Sequence, residues 1–340
     1  MKGVSIISPG EIRMTDLPEP KLTPGGAIVK IKSAMICGSD ISAFRGKGLP
    51  PKYPIVIGHE VAGEVAEIGT EGSGLKKGDR VILNPYIYCG QCYPCSLGRT
   101  NCCQSLMVLG CRNTDGAMTE YFSHPAHLLI KAPEAIPWEL VPLAEPLTIS
   151  LHALRRTALK AGEHVVIVGA GPIGFYAALA AKARGAVPIL LDRIGPRLAL
   201  ARREGIEHTL HTDECDAAEA IAGLTEGRMA EVVIEASGAN SQIQRTLDYA
   251  SYCGRIAFTG WPSGDTPIFS PTITRKELDI RGSRTGVAEE IAEALAMIAS
   301  AEVNVRACVT EMVAFDQLPQ AVRKIAEQPE KYLKIGALLS

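Results

Sequence analysis

The stretch VVIVGAGPIG, residues 165–174, decides the fold of the second half of this chain. A short apolar run followed at once by glycines predicts a buried strand that turns directly into a helix. Gly169 permits a tight turn, Gly171 lets a pyrophosphate approach the backbone, and Gly174 lets the helix pack closely on the strand. The first N–H groups of that helix would then face the phosphates. The stretch therefore predicts a dinucleotide-binding turn, with a purely structural glycine turn as the alternative.

The side chains around this turn predict which dinucleotide binds. Asp192 ends the next apolar run, VPILLD, where its carboxylate can accept hydrogen bonds from both ribose hydroxyls and would repel a 2′-phosphate. NAD is therefore favoured, while Arg193 and Arg197 keep NADP as the alternative. Pro172 and Ile173, within the turn, complete the predicted cofactor-binding set there.

The order of strands and helices predicts two domains. Up to about Glu145, short β-like runs such as AIVKIKSAMI and VAGEVAEIG are separated by Gly and Pro, which is typical of an irregular all-β domain. After Pro146, apolar strands alternate with helices, which predicts an α/β Rossmann domain with a doubly wound parallel sheet. From Val287, a helical ALAMIA segment and a strand-like tail indicate a return to the first domain. The predicted division is residues 1–147 and 287–340 for a catalytic, zinc-binding domain and 148–286 for the dinucleotide-binding domain.

Four cysteines on one loop predict a structural metal site. Cys89, Cys92, Cys95 and Cys103 are separated by two, two and seven residues in CGQCYPCSLGRTNCC. Four thiolates at this spacing match a closed, tetrahedral zinc site. A disulfide cluster is the alternative, although nothing else in the sequence suggests export. The cysteines outside the two metal sets are predicted to be free thiols: Cys102, Cys111, Cys215, Cys253 and Cys308.

A second set of residues predicts an open, catalytic metal site. Cys37 lies in ICGSD, and His59 and Glu60 lie in IGHE. A thiolate, an imidazole and a carboxylate can hold zinc while leaving a position for water or substrate. Glu145, at the predicted domain junction, is a second carboxylate for the same metal, and Ser39 would place a hydroxyl near the substrate oxygen. Each residue also has a structural alternative: a core thiol for Cys37, a buried histidine for His59, a helix-terminal charge for Glu145, and a turn or helix-cap hydroxyl for Ser39.

Composition excludes several classes of protein. The chain of 340 residues carries 35 Lys and Arg against 37 acidic residues, so it has no basic field to attract nucleic acid or anionic membranes. The longest uncharged stretch, residues 165–181, is shorter than the ~20 residues of a spanning helix and is broken by glycines. The N-terminal apolar run is too short for a signal peptide. We therefore expect a cytoplasmic protein that acts on a small molecule and binds neither nucleic acid nor membrane.

Together these motifs resemble the zinc-dependent medium-chain alcohol dehydrogenases over essentially the whole chain. The resemblance is carried by GHE with Gly63 and Gly69, by CGSD, by the four-cysteine loop and by GAGPIG. AEP at residues 144–146 resembles the polyol and sugar dehydrogenase branch. GRTNCC, ISLHALRR and KELDIRGSR are similar to bacterial sugar-acid enzymes of the L-galactonate 5-dehydrogenase type. The resemblance implies a GroES-like catalytic domain beside the Rossmann domain.

The resemblance also implies roles for individual residues. One catalytic zinc would be held by Cys37, His59 and a carboxylate, either Glu60 or Glu145, and one structural zinc by the four cysteines. Ser39 would pass the alcohol proton onward. Ser283 and Arg284 would reach the nicotinamide and the substrate, and the chain would form a homo-oligomer, a dimer or a tetramer. One departure is Ser42, because many family members carry a relay histidine at that position.

The expected function is an NAD-dependent, zinc-dependent oxidation of a secondary hydroxyl to a ketone. The expected substrate is a sugar acid, such as the aldonate L-galactonate, or a polyol. Two alternatives stay open: a threonine-type amino-alcohol dehydrogenase, and a non-catalytic protein that binds zinc and a dinucleotide.

Overall fold

The computed structural model describes residues 1–47, 52–69, 74–111 and 114–339. Over these residues the chain packs into two compact units. The first unit comprises Met1–Glu145, Val287–Ala299 and Val309–Ser340, and the second comprises Pro146–Gly286 and Ser300–Cys308. Within the described ranges, no helix is both long enough and apolar enough to cross a membrane.

Strands dominate the first unit and alternate with helices in the second. In chain order the strands of the described ranges are β1 (Lys2–Ser8), β2 (Glu11–Asp16), β3 (Gly26–Met35), β4 (Ile55–Val56), β5 (Glu60–Ile68), β6 (Arg80–Leu83), β7 (Tyr86–Ile87), β8 (Met107–Val108), β9 (Tyr121–Pro125), β10 (Leu129–Lys131), β11 (His164–Val168), β12 (Val187–Asp192), β13 (His208–His211), β14 (Ala230–Glu235), β15 (Ala250–Phe258), β16 (Asp279–Gly282), β17 (Val309–Ala314) and β18 (Lys334–Leu338).

The α-helices of the same ranges are α1 (Gly38–Phe44), α2 (Tyr93–Ser96), α3 (Ala144–Arg156), α4 (Pro172–Ala183), α5 (Gly195–Arg203), α6 (Ala217–Leu224), α7 (Asn240–Tyr249), α8 (Ser270–Lys276), α9 (Ala288–Ala299) and α10 (Leu318–Glu327).

The first unit is built on a mixed, seven-stranded sheet. Its strands follow the order β10-β6-β5-β3-β18-β17, and β9 also pairs with β3. Apolar side chains of β3, β5 and α10, including Val29, Val61 and Leu318, form one buried cluster. The sheet places the end of β3, the start of β5 and the start of β18 close together, because Met35 pairs with both Glu60 and Gly336. The metal ligands predicted from the sequence lie at this junction.

The second unit confirms the predicted doubly wound fold. Six parallel strands follow the order β13-β12-β11-β14-β15-β16. The strand order reverses between β11 and β14, and ligands of such sheets bind outside the carboxyl ends of the strands at this point. The predicted strands VVIV, VPILLD and VVIEAS are β11, β12 and β14. Sequence analysis did not predict β13 or α6, because the edge strand HTLH is short, polar and only half-buried.

The segment Ser300–Cys308 packs in the second unit, although the predicted division assigned residues 287–340 to the first domain. The Tyr176 hydroxyl of α4 donates a hydrogen bond to the Val305 carbonyl at 3.0 Å. Val305 itself is buried. The segment belongs to the second unit because it packs against α4, and no local sequence pattern predicts this contact.

Candidate metal and dinucleotide sites

The four cysteines of the predicted structural site converge within one loop of the first unit. Cys92 caps α2, and Cys103 follows a 3₁₀ turn over Thr100–Cys102. The Sγ atoms of Cys89, Cys92, Cys95 and Cys103 all lie within 4.8 Å of one another. Backbone N–H groups of Gln104 and Cys95 lower the pKa of Cys92 to about 6, whereas burial raises the pKa of Cys95 to about 12. A lowered thiol pKa favours the thiolate, which is the form that binds metal.

The sulfur separations distinguish zinc from a disulfide. Cys92 Sγ lies 3.5 Å from Cys95 Sγ and 3.8 Å from Cys103 Sγ, and all ten cysteines are free. A disulfide brings two sulfurs to about 2.05 Å. Four thiolates about 2.3 Å from a tetrahedral zinc lie about 3.8 Å apart. The geometry therefore fits a closed zinc site and does not fit the disulfide alternative.

The predicted catalytic set lies where β3 and β5 meet α1. Cys37 is the N-cap of α1, and its N–H donates to Asp40 Oδ2 at 2.9 Å. His59 directly precedes β5, whose first residue is Glu60. One ligand atom each of Cys37, His59 and Glu60 lies within 4.8 Å of the other two. The sheet therefore brings together a sulfur, an imidazole nitrogen and a carboxylate oxygen.

A buried lysine that sequence analysis did not select holds Glu60. Lys334 Nζ lies 2.5 Å from both carboxylate oxygens of Glu60 and 3.3 Å from the Ile36 carbonyl oxygen. Neither side chain is more than 2% exposed. Burial raises the pKa of Glu60 to about 7 although Lys334 acts to lower it. The only sequence signal for this pair is a lysine at the start of the otherwise apolar tail.

Glu145, the other predicted carboxylate, is not among the residues whose ligand atoms lie within 4.8 Å of one another, but its charge acts on Glu60 and a tyrosine orients it. It occupies the first turn of α3 and is 1% exposed. The Tyr86 hydroxyl donates a hydrogen bond to Glu145 Oε1, whereas Oε2 is buried without a partner among the described residues. Burial is the main cause, and the charge of Glu145 the second, that raises the pKa of Tyr86 well above its ordinary value. Tyr86 therefore remains a neutral hydrogen-bond donor. Glu145 therefore presents one carboxylate oxygen that is available to a ligand.

His59 and Ser39 are in contact at the same place. Ser39 Oγ lies 3.4 Å from His59 Nε2, and His59 Nδ1 has no partner among the described residues. Burial acts to lower the pKa of His59, but Cys37 and Asp40 outweigh it and hold that pKa well above its ordinary value. The nearby Cys111 thiol, also missed by sequence analysis, has a pKa that burial raises.

The charges of this cluster fit a divalent cation. Metal ligands must be deprotonated, with cysteine as the thiolate and histidine neutral. In that form Cys37, Glu60 and Glu145 carry three negative charges, and the buried Lys334 offsets one of them. Buried charges are costly unless they are paired or bind a metal. Two negative charges remain after Lys334 is counted, before the buried Asp40 is considered. The donor set therefore fits one zinc ion in both ligand chemistry and charge.

Two further residues of α1, Ser42 and Phe44, have their contacts elsewhere in the first unit. Ser42 Oγ donates to the Gly38 carbonyl at 3.1 Å within α1. Phe44 packs in the apolar core of the first unit.

The glycine turn has the close contacts that the sequence predicted. Gly169 has φ +101°, and a Cβ there would lie 3.0 Å from Ser237 Cβ. A Cβ on Gly174 would lie 1.8 Å from the Gly169 carbonyl oxygen, so α4 can approach the strand only with glycine there. A Cβ on Gly171 would meet nothing within 4 Å, which leaves space beside the backbone for a ligand. Pro172 and Ile173 begin α4.

Asp192 lies beside this turn. Its Oδ2 accepts a hydrogen bond from the Ala170 N–H at 2.6 Å, and its Oδ1 accepts one from the Ile194 N–H at 2.8 Å. Arg197 Nη1 is 3.8 Å from Oδ2, and Arg193 is exposed. The structure therefore brings Asp192 and Arg197 together at the carboxyl edge of the parallel sheet.

Ser283 and Arg284 follow β16 at the same edge of the sheet. The Ser283 N–H donates to the Phe258 carbonyl at 2.9 Å, and its buried Oγ has no partner among the described residues. Arg284 is half-buried. Their predicted contacts with nicotinamide and substrate stay predictions.

Two family descriptions match the chain. Residues 23–134 match the alcohol dehydrogenase GroES-like domain. Residues 172–300 match the zinc-binding dehydrogenase domain. The first match lies within the first unit, and the second covers most of the second unit together with Val287–Ala299 of the first.

Curated relatives match nearly the full chain. An uncharacterized zinc-type alcohol dehydrogenase-like protein of Haemophilus influenzae is 49% identical over 339 residues, covering 99% of this chain and 98% of the relative. Sorbitol dehydrogenase of Bacillus subtilis is 31% identical, covering 98% and 96%. L-galactonate-5-dehydrogenase of Escherichia coli is 35% identical, covering 88% and 87%.

Solved structures with nicotinamide cofactors share the fold. A short chain alcohol dehydrogenase of Escherichia coli CFT073, complexed with NADH, superposes with a TM-score of 0.92 at 29% identity, covering 100% of this chain and 99% of the other. A protein of Sinorhizobium meliloti 1021 bound to NADP superposes with a TM-score of 0.91 at 27% identity, covering 99% of each chain.

Proposed function

The chain belongs to the zinc-dependent medium-chain alcohol dehydrogenase family, in its polyol and sugar dehydrogenase branch, and we propose that it oxidises a secondary hydroxyl of a sugar acid or polyol to the ketone with NAD. As a family member it is a dehydrogenase that uses zinc and a nicotinamide cofactor. The observation that carries the proposal is the cluster of Cys37, His59 and Glu60, which together with Glu145 keeps two negative charges for a metal after Lys334 is counted.

The catalytic zinc would be held by Cys37, His59 and a carboxylate. When bound, zinc supplies a Lewis acid that lowers the pKa of the substrate hydroxyl. Glu60 already has both oxygens in contact with Lys334, whereas Glu145 has a free oxygen, Oε2. We therefore assign Glu145 as the carboxylate that can move onto the metal, while Lys334 holds Glu60 at the rear of the cluster.

Ser39 is the residue we assign to the alcohol proton. Its hydroxyl lies 3.4 Å from Nε2 of His59, a predicted zinc ligand, so it is close to the position where a hydroxyl of the substrate would bind. Ser39 is also exposed, and water can therefore take the proton from it directly. This route accounts for the presence of Ser42 where similar enzymes carry a relay histidine.

Asp192 supports NAD as the preferred cofactor. The nicotinamide ring itself supplies the redox chemistry. A 2′-phosphate would approach the Asp192 carboxylate and be repelled, whereas a 2′-hydroxyl could donate to it. Arg197 Nη1 lies 3.8 Å from Asp192 Oδ2 and offsets part of this negative charge. We therefore expect the protein to prefer NAD but still to bind NADP. Asp192→Ala should narrow the difference between NAD and NADP, chiefly by weakening NAD.

Arg284 is the residue we propose to distinguish a sugar acid from a neutral polyol. A guanidinium can bind a carboxylate with paired, charge-assisted hydrogen bonds. Such bonds contribute about 1.5–3 kcal/mol, or roughly ten- to a hundredfold in affinity. Arg284→Ala should therefore raise KM for aldonates by about that factor and change KM for polyols little. Arg275→Ala, an exposed arginine of α8, is the matched control.

A substrate screen tests the proposed reaction. Purified protein with zinc and NAD is assayed at 340 nm (the NADH absorbance) against L-galactonate, sorbitol and L-threonine, and the zinc content is measured in parallel. We expect oxidation of the aldonate or the polyol. Activity on L-threonine alone would favour the amino-alcohol alternative, and NAD binding without any turnover would favour the non-catalytic one.

Two further proposals concern assembly and location. In the described part of the chain, β16 pairs only with β15, and Ile280 on it is 37% exposed. Unpaired sheet edges are normally covered, so we propose that a second copy pairs there to form a homo-oligomer. Exposed free thiols at Cys215 and Cys253 fit a reducing compartment such as the cytoplasm.

A further inference from the structure

His211 lies beside Asp192 although nothing in the sequence motifs selects it. Strand β13 pairs in parallel with β12 in a register that places His211 opposite Asp192. Paired residues on neighbouring strands point to the same face of a sheet. The Thr212 N–H donates to the Asp192 carbonyl at 3.0 Å and holds the two strand ends together. The imidazole therefore belongs to the carboxyl edge where a dinucleotide would place its adenosine ribose.

One nitrogen of this imidazole has a polar neighbour, and the other does not. His211 Nε2 is 3.7 Å from Glu214 Oε1. Nδ1 is buried and has no hydrogen-bond partner within the described ranges. Buried polar atoms are nearly always paired, so an unpaired one calls for a missing partner such as a ligand. With the proton on Nε2, facing Glu214, Nδ1 carries a lone pair and accepts a hydrogen bond.

The His211 ring lies in the same part of the second unit as the Asp192 carboxylate, which is predicted to bind the ribose. His211 Cδ2 lies 3.9 Å from the point where a Cβ on Gly195 would be, so the ring lies against the first residue of α5. Both oxygens of Asp192 already accept backbone N–H groups, those of Ala170 and Ile194. A second acceptor beside Asp192 therefore adds to the recognition of a ribose diol.

We propose that His211 Nδ1 accepts a hydrogen bond from the 2′-hydroxyl of the adenosine ribose, so that His211 and Asp192 together select NAD over NADP. A 2′-phosphate is largely a dianion near neutral pH, so it has no proton to donate to Nδ1 of a neutral imidazole and could bind there only if His211 took up a proton. Asp192 disfavours NADP because its charge repels the 2′-phosphate, and His211 favours NAD because Nδ1 needs a hydrogen-bond donor such as the 2′-hydroxyl. The inference rests on the proposed dinucleotide site, but it does not depend on the alcohol substrate or on zinc.

Ligand binding without turnover tests the inference. Isothermal titration with ADP and with 2′-deoxy-ADP measures how much affinity the 2′-hydroxyl contributes in each protein. His211→Leu places a methyl group at the position of Nδ1, and the matched control His211→Asn places its amide oxygen there. Loss of one hydrogen bond changes affinity by about two- to tenfold. We expect the 2′-deoxy penalty to shrink by that factor in His211→Leu and to persist in His211→Asn.

Two titration results would overturn the inference: equal 2′-deoxy penalties in the wild type and His211→Leu, or a loss of the penalty in His211→Asn. A kinetic result would overturn it as well, namely equal losses of kcat/KM for NAD and for NADP in His211→Leu. If His211→Leu does not fold, as judged by thermal unfolding, His211→Ala gives the same comparison because it also lacks the acceptor. Binding of ADP by a protein that oxidises no alcohol would refute the proposed reaction while leaving this test intact.

Discussion

Replacing Lys334 with methionine tests how much the buried ion pair with Glu60 stabilises the first unit. Lys334 Nζ contacts both carboxylate oxygens at 2.5 Å, and neither side chain is more than 2% exposed. Methionine has a similar length and no charge, so the variant leaves the Glu60 carboxylate buried without its lysine. Removing one partner of a buried ion pair costs about 3–5 kcal/mol. We therefore expect the free energy of unfolding of this unit to fall by about that amount.

The chain offers a matched control in the same C-terminal region. Lys324 pairs with Glu311 at 2.9 Å, but their side chains are 43% and 32% exposed. Ion pairs exposed to this extent contribute at most about 1 kcal/mol. Lys324→Met makes the same chemical change as Lys334→Met, so the difference between the two variants isolates the effect of burial.

Urea unfolding followed by tryptophan fluorescence measures the difference. The chain has two tryptophans, and a Trp261→Phe background leaves Trp138, which lies in the first unit beneath the Arg80 guanidinium. With an m-value of about 2 kcal/mol/M, the midpoint should fall by about 1.5–2.5 M for Lys334→Met and by at most about 0.5 M for Lys324→Met. Equal shifts in the two variants would refute the reasoning.

The remaining predictions concern zinc, pH and proton transfer. Cys95→Ser should fold poorly and lose one zinc by metal analysis, since structural zinc contributes folding energy, whereas Cys215→Ser outside the loop should lose none. Burial lowers the pKa of His124 to about 4. The unfolded chain therefore binds a proton that the folded chain does not, and about 3 kcal/mol of stability should be lost through His124 as pH falls from about 6.5 to 4. His124→Gln should lose less stability than the wild type over this pH range by about that amount, and a variant with the same pH dependence as the wild type would contradict the assignment. Ser39→Ala should keep both zinc ions and lower turnover by about 10²–10⁴, and near-normal turnover with chemistry rate-limiting would show that Ser39 is only structural.

The structure brings predicted site residues together most directly where they lie within a short segment. The four-cysteine loop spans fifteen residues, and the glycine turn spans six, so residue spacing alone restricts which atoms can meet. The alternation of apolar strands and helices likewise predicted the parallel sheet, and the structure confirms it. Sequence analysis did not predict β13, because none of the residues of this edge strand is fully buried and no apolar pattern marks it.

The sequence by itself determined the ligand chemistry: thiolates at fixed spacing, a histidine beside a glutamate, and glycines where backbone and phosphate must approach. Only the tertiary structure decided what surrounds them. It brings Lys334 to Glu60 across 274 residues, Tyr86 to Glu145 across 59, and His211 to Asp192 through strand register. Short spacings limit geometry through chain connectivity, whereas contacts between distant strands depend on the order and register of the whole sheet, and no local pattern records either.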